Sequence, residues 1–193
     1  MNSIILDSSL NELNVGLSVD DKLFKTSYEA FQQQSELMIP ELNKLLKANN
    51  VDKKDIQSII VTNGPGSYTG LRIALTIAKI YAFAVNCPVY QISSLNAMIK
   101  KDKETICLMN ARSGRSYIGV YKNEVCLLED QILSNEDVLD YINKHKDYVV
   151  SGNTEYLGVE GYKADIIQNL FDLKNEKFKV ENLLSLKAKY LKD

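Results

Sequence analysis

Short apolar runs alternating with polar residues open this chain and then give way to longer stretches with a helical period. Ile4, Ile5 and Leu6, then Leu13, Val15 and Leu17, predict strands at 3–7 and 13–19, with a third at 22–28. A helix follows at 35–49, then a strand at 57–62 and a second helix at 68–86. The second half repeats that order, with strands at 105–109, 116–122 and 124–129, a helix at 135–144, a strand at 147–151 and a helix near 162–171. A duplicated βββαβα unit is the simplest account, and it divides the chain into an N-terminal lobe, 1–100, and a smaller C-terminal lobe, 101–193. Residues 180–193 also read as helical.

Helix 68–86 carries apolar residues on every side. Between Ile73 and Val85 only Thr76 and Lys79 are clearly polar, so the helix must be covered on more than one face. Gly70, Ala74, Ala78 and Ala82 recur every four residues and make a flat stripe on which another helix can approach closely. A central helix wholly buried within the monomer accounts for the pattern as well. In helix 35–49, Ser35 is the expected N-cap, and Pro40 removes the bond to the Glu36 carbonyl. Leu37, Met38, Ile39, Leu42, Leu45 and Leu46 form a stripe wider than one sheet contact needs, which tilts the reading of both helices toward a partner.

Composition narrows the class. The 193 residues are 45% hydrophobic and 25% charged, as in ordinary globular proteins. The apolar stretches are interrupted before the ~20 residues a membrane span requires, and Met1–Asp7 has no basic region, which predicts a cytoplasmic protein with no membrane partner. A net charge of −2 argues against unaided nucleic-acid binding, which needs a basic face. The lysines at 100, 101 and 103, and at 187, 189 and 192, read as solvated edges. Cys87, Cys107 and Cys126 form no close pair and are expected to be reduced, buried thiols. A lone histidine, His145, excludes a histidine-rich metal site.

The chemistry concentrates in Asn63-Gly64-Pro65-Gly66-Ser67-Tyr68-Thr69-Gly70-Leu71-Arg72, at a strand-to-helix turn where backbone amides can meet an anion or a partner's backbone. A phosphate-cradling Walker loop is not present, because no lysine stands between Asn63 and Ala78. A dinucleotide fingerprint would open the chain, and this loop follows three strands and a helix. A tight turn with glycines at positive φ is the structural alternative. Asp7 and Asn110 occupy the same turn in the two halves. A hydrated magnesium site needs anionic oxygen ligands; Asp7 supplies one carboxylate and Asn110 cannot supply another, while an Asx turn at Asp7 is the plainer reading.

The glycine loop, Gly-Pro-Gly-Ser-aromatic-Thr-Gly-hydrophobic-Arg, resembles that of the TsaB (YeaZ) family of bacterial tRNA threonylcarbamoyladenosine biosynthesis proteins, non-catalytic relatives of the glycoprotease-like enzyme TsaD. Ile5-Leu6-Asp7-Ser8-Ser9, Gln33-Gln34-Ser35-Glu36 through Pro40, Pro88-Val89 to Leu95, and Asn110 through Tyr117 are similar to further family segments in the same order. Tyr190-Leu191-Lys192 stands where a Tyr-Leu-Arg is common. The resemblance implies an α/β fold of two ribonuclease H-like lobes in the actin-like ATPase and sugar kinase architecture. It departs at Gln34, where relatives carry His, and at Asn110, where Asp is usual. Asp7, Gly64, Gly66 and Asn110 are then vestigial nucleotide-site candidates, with no cofactor of the chain's own.

The same resemblance implies an accessory subunit of a threonylcarbamoyl transferase complex, binding TsaD and, through the complex, the ATPase TsaE. A homodimer is expected when the chain is alone, and tRNA is met only indirectly. The implied interface runs along both helices through Leu42, Leu45, Leu46, Gly70, Arg72, Ala74, Ile77, Ala78, Tyr81 and Ala82. The rival expectation is an active small-metabolite phosphotransferase or ATPase using Asp7 and the glycine loop. A peptidase lacks residues, since no histidine accompanies any Ser or Cys nucleophile in a recognisable motif.

Overall fold

The computed structural model describes residues 1–191. Lys192 and Asp193, which complete the lysine cluster and the tail named above, lie outside the described residues. Nine strands and four α-helices follow in the order β1 (Ser3–Asp7), β2 (Glu12–Val19), β3 (Lys22–Glu29), α1 (Gln34–Ala48), β4 (Ser58–Thr62), α2 (Tyr68–Val85), β5 (Val89–Ile92), β6 (Thr105–Arg112), β7 (Arg115–Lys122), β8 (Val125–Ser134), α3 (Asn135–Lys144), β9 (Val149–Gly152) and α4 (Ile166–Leu173) among the described residues.

They build two sheets of the same plan. The first has the order β3-β2-β1-β4-β5 and the second β8-β7-β6-β9. In each, the first strand pairs antiparallel with the second and parallel with the fourth: Ser3 to Leu6 face Ser58 to Val61, and Thr105 to Leu108 face Val149 to Gly152. Among the described residues the second sheet has no counterpart of β5. The duplicated α/β architecture expected from the sequence is therefore present.

Strand periodicity sorts the apolar side chains into three cores. Ile4, Leu6, Ile59 and Val61 point toward α1 and α2. Ile5 and Ile60 point the other way, into a middle core shared with Cys107, Met109 and Tyr121 of the second sheet and Ile167, Leu170 and Leu173 of α4. Ile106, Leu108, Ile118 and Val120 turn outward onto Val138 of α3. Because β1 and β4 are covered on both faces, they read as continuous apolar runs. Although α4 belongs to the second half of the chain, it packs on β1, β2 and β4 of the first sheet.

Several boundaries differ from the sequence reading, each for a local reason. Helix α1 opens at the Gln33 carbonyl, which accepts from the Glu36 and Leu37 N–H groups at 3.0 and 3.1 Å, so Ser35 lies inside the first turn and is not the N-cap. Helix α4 starts at Ile166 because Asp165 caps it, its carboxylate accepting from Gln168 N–H at 3.1 Å; Tyr162 instead extends the β9 edge through a 2.8 Å bond to Val150. Residues 180–191 are not an α-helix. Val180 N–H donates to Val89 O at 2.8 Å, Lys179 bridges Tyr90, and a single 3₁₀ turn at Leu183–Ser185 follows, so this segment covers the open edge of β5. Cys126 is exposed on the edge strand β8, against the expectation of a buried thiol; Cys107 is buried, and burial pushes its thiol well above the usual range.

Candidate functional site

The glycine loop meets the chain's own backbone. Ser67 N–H donates to Ser9 O at 2.7 Å and Ser8 Oγ donates to Gly70 O at 2.8 Å, which lays the loop against the turn after β1. A Cβ at Gly66 or Gly70 would collide with the Ser9 or Ser8 carbonyl, and one at Gly64 would sit 2.7 Å from the Lys189 carbonyl. Gly64 and Gly66 also have φ of 111° and 151°. Ser67 then caps α2, accepting from Gly70 N–H at 3.2 Å.

Asp7 and Asn110 form the same Asx turn in two settings. Asp7 Oδ1 accepts from Ser9 N–H at 3.2 Å, and Asn110 Oδ1 accepts from Arg112 N–H at 2.8 Å. Asp7 is buried and fully committed, with Thr62 Oγ1 donating to Oδ1 at 2.6 Å and Asn14 Nδ2 donating to Oδ2 at 3.0 Å. Asn110 is exposed and lines a cleft of about 1010 Å³ between the lobes, where it shares the wall with Gly66. Asp7 and Gly64 are not among the lining residues. Glu12, Glu29, Glu155 and Glu160 line the same cleft against Arg112 and Lys163, so its charge balance disfavours a polyphosphate. Gln34 is buried, and its Nε2 reaches the carbonyls of Leu10 at 3.4 Å and Asn11 at 3.3 Å; it holds the loop after β1 in place. Among the described residues no three His, Cys, Asp or Glu side chains converge on a point that could hold a metal ion.

The helical surface is arranged differently from the sequence reading. Gly70, Ala74, Ala78 and Ala82 face inward, and with Leu42 and Leu46 of α1 they are buried against the chain's own sheet and each other. They therefore have no surface to give a partner. Leu45, Ile77 and Tyr81 are half-buried, and Tyr81 donates to Lys53 O at 3.0 Å. Of the ten, only Arg72 is exposed, donating to Tyr68 OH at 2.5 Å.

The outward face of α2 belongs to larger residues that the sequence reading did not select. Phe83 is 82% exposed and Ile80 65%, with Thr76 and Ala84 beside them and no acidic group on the helix. Ile39 of the neighbouring α1 is 50% exposed. By length and composition alone α2 could cross a membrane, but the small-residue face is already used by the sheet.

A family model described as "TsaD: tRNA N6-adenosine threonylcarbamoyltransferase" matches residues 28–178. The chain belongs to this family, on its TsaB (YeaZ) branch. It is 29% identical to the tRNA threonylcarbamoyladenosine biosynthesis protein TsaB of Bacillus subtilis, over 72% of this chain and 62% of that protein, so the match spans just under two thirds of the relative. An uncharacterised protein of Mycoplasma pneumoniae, a homologue of MG208, is 30% identical over 98% of this chain and 94% of its own length. Among solved structures, YeaZ from Pseudomonas aeruginosa superposes with a TM-score of 0.81 at 19% identity, over 98% of this chain and 99% of that one, and carries the same fold.

Proposed function

We propose that this member of the TsaB branch serves the formation of threonylcarbamoyladenosine on tRNA as an accessory subunit. It docks a catalytic relative of the TsaD type through the outward faces of α1 and α2. The ATPase TsaE joins through that complex, tRNA is reached only through the partner, and the assembly works in the cytoplasm. A second copy covers the same face when the partner is absent.

The observation that carries this reading is the outward face of α2, where Phe83 and Ile80 are left in water while the small-residue stripe, with Leu71 and Leu75, is turned to the chain's own core. Burying two such side chains is worth roughly 1.5–3 kcal/mol each, in the range of a binding hot spot. Docking there shifts the partner toward its competent conformation by no more than the difference in affinity for its two states. The commitment of all Asp7 oxygens to Thr62, Asn14 and Ser9, with the acidic cleft, supports a chain that has neither catalysis nor a cofactor of its own. The cleft volume favours the rival phosphotransferase or ATPase reading, which requires magnesium-ATP to bind the isolated chain.

The test is a titration of the TsaD-type subunit from the same cell with the wild-type chain and Phe83→Lys, together with threonylcarbamoyladenosine content in cells carrying each. The variant is expected to bind about 30-fold more weakly and to lower the modification. Unchanged affinity and unchanged modification would overturn the docking reading, and calorimetric heat from magnesium-ATP with turnover would favour the rival.

A further inference from the structure

Asp130 lies outside the cleft and the docking helices, yet its side chain is 0% exposed. A bulge places it there. Ile118 pairs with Gln131 and Val120 with Leu128, so Gly119 alone opposes Glu129 and Asp130, and Asp130 turns inward. Gly119 also makes the room, since a Cβ there would lie 2.5 Å from Asp130 Oδ1. A buried carboxylate costs several kcal/mol unless it is matched.

The groups that match it come from three separate places. Tyr121 OH donates to Oδ1 at 2.5 Å, Ser93 Oγ donates to Oδ2 at 2.7 Å, and Lys189 Nζ donates to Oδ2 at 3.5 Å. Burial first, and then the Asp130 charge, push the Tyr121 phenol far above its usual range.

Two of these partners continue to the glycine loop. Ser94, next to Ser93, donates its N–H to Gly64 O at 2.9 Å and accepts the Gly64 N–H on its Oγ at 3.1 Å. Lys189 donates its own N–H to Asn63 O at 2.7 Å. Tyr190 then stacks on Tyr68, the first residue of α2, with ring centroids 5.2 Å apart. Both arms run from one carboxylate on the second sheet to Asn63 and Gly64, just ahead of the cap of the docking helix.

We infer that Asp130 is a positioning residue that ties the second sheet to the root of α2, so that the set of the two lobes and the orientation of the docking face move together. The inference rests on the docking reading above for its functional half. Coupling of this kind is reciprocal: a partner that binds α2 in one orientation favours the lobe arrangement that goes with it.

The experiment compares the wild-type chain with Asp130→Asn, Lys189→Met, Lys189→Arg and the Asp130→Asn/Lys189→Met double variant, with Phe83→Lys alongside. Amide hydrogen exchange is followed at residues 63–72 in the isolated chain, and affinity is measured for the TsaD-type subunit. Asp130→Asn keeps the volume but sets an amide N–H₂ against hydroxyl donors and removes the charge that Lys189 meets. It is expected to speed exchange at 63–72 about tenfold, with no change in the first sheet's centre, and to weaken docking about tenfold. Lys189→Met gives a smaller loss, Lys189→Arg restores it, and the double variant is no worse than Asp130→Asn, because both act through one linkage.

Wild-type exchange at 63–72 in Asp130→Asn would overturn the linkage, and wild-type affinity would overturn its coupling to docking. If Asp130→Asn does not fold, the Lys189→Met and Lys189→Arg pair decides the same question. Phe83→Lys is expected to lose docking with exchange at 63–72 unchanged; retained docking would instead sink the docking reading and the coupling with it, while the exchange result still decides the linkage.

Discussion

Helices α2 and α4 each follow the fourth strand of their sheet in chain order, yet they meet solvent in opposite ways. Helix α4 hides Ile167, Leu170 and Leu173 and shows Gln168 and Asp172, which bond each other at 2.9 Å, while Lys101 pairs with Asp172 at 3.1 Å. Helix α2 hides Gly70, Ala74, Ala78 and Ala82 together with Leu71 and Leu75, and shows Phe83 and Ile80. Duplication kept the order of elements but not the surface chemistry. Where four small residues face the sheet, only Leu71 and Leu75 bring large apolar groups of α2 into the first core, and Ile80 and Phe83 stay in water.

Breaking the inner face of α2 should have the largest effect on folding. Ala78 is 0% exposed, so Ala78→Glu places an unpaired carboxylate against β1 and β4, and stability should fall by about 4 kcal/mol or more in denaturant titration. Its loss of docking would then report unfolding, not the interface. On α4 the comparable change is Leu170→Ala in the middle core, expected to cost about 3 kcal/mol through cavity formation, with little effect on partner affinity once the chain is folded.

The sequence made the two-lobe plan readable because β1, β4 and β6 are buried on both faces and stand out as apolar runs. The strand β5 does not stand out in this way: Val89–Ile92 is four residues long, and Gln91 interrupts the pattern. Helix α2 was plain, but its outward face was not, because apolar residues surround it and only the packing distance to the sheet decides whether alanine or phenylalanine faces in. A reading that sent the small stripe to the sheet would have left Ile80 and Phe83 outside. Of the nucleotide-site candidates, the Asx turn at Asp7 could be anticipated from its type and place, whereas its capture by Thr62 and Asn14 depends on strand register. Asp130 was invisible for a similar reason: in Leu128-Glu129-Asp130-Gln131 it looks like a polar break, and its burial depends on Gly119 across a bulge and on Lys189 far along the chain.

The two Asx turns sharpen the comparison between lobes at lower energy. Asp7→Asn leaves one acceptor oxygen for three donors and turns an amide N–H₂ toward Asn14 or Thr62, so about 2 kcal/mol should be lost. The reciprocal Asn110→Asp keeps its acceptor for the Arg112 N–H in an exposed turn and should stay within about 0.5 kcal/mol of wild type. Equal costs at both positions, measured by thermal or denaturant unfolding, would mean that the first turn is no more committed than the second.

The smallest stability effect belongs to the most telling residue for function. Phe83 lies in the last turns of α2 with most of its ring in water, so Phe83→Lys removes little buried area. It also replaces a weak helix former with a stronger one, and it places a cation near the negative end of the helix dipole, where α2 has no basic residue of its own. Stability should therefore hold or rise by a few tenths of a kcal/mol, while affinity for the docking partner falls. If the same lysine instead lowered stability by 2 kcal/mol or more in the isolated chain, Phe83 would be packing against the chain's own residues, and α2 would be an ordinary core helix like α4.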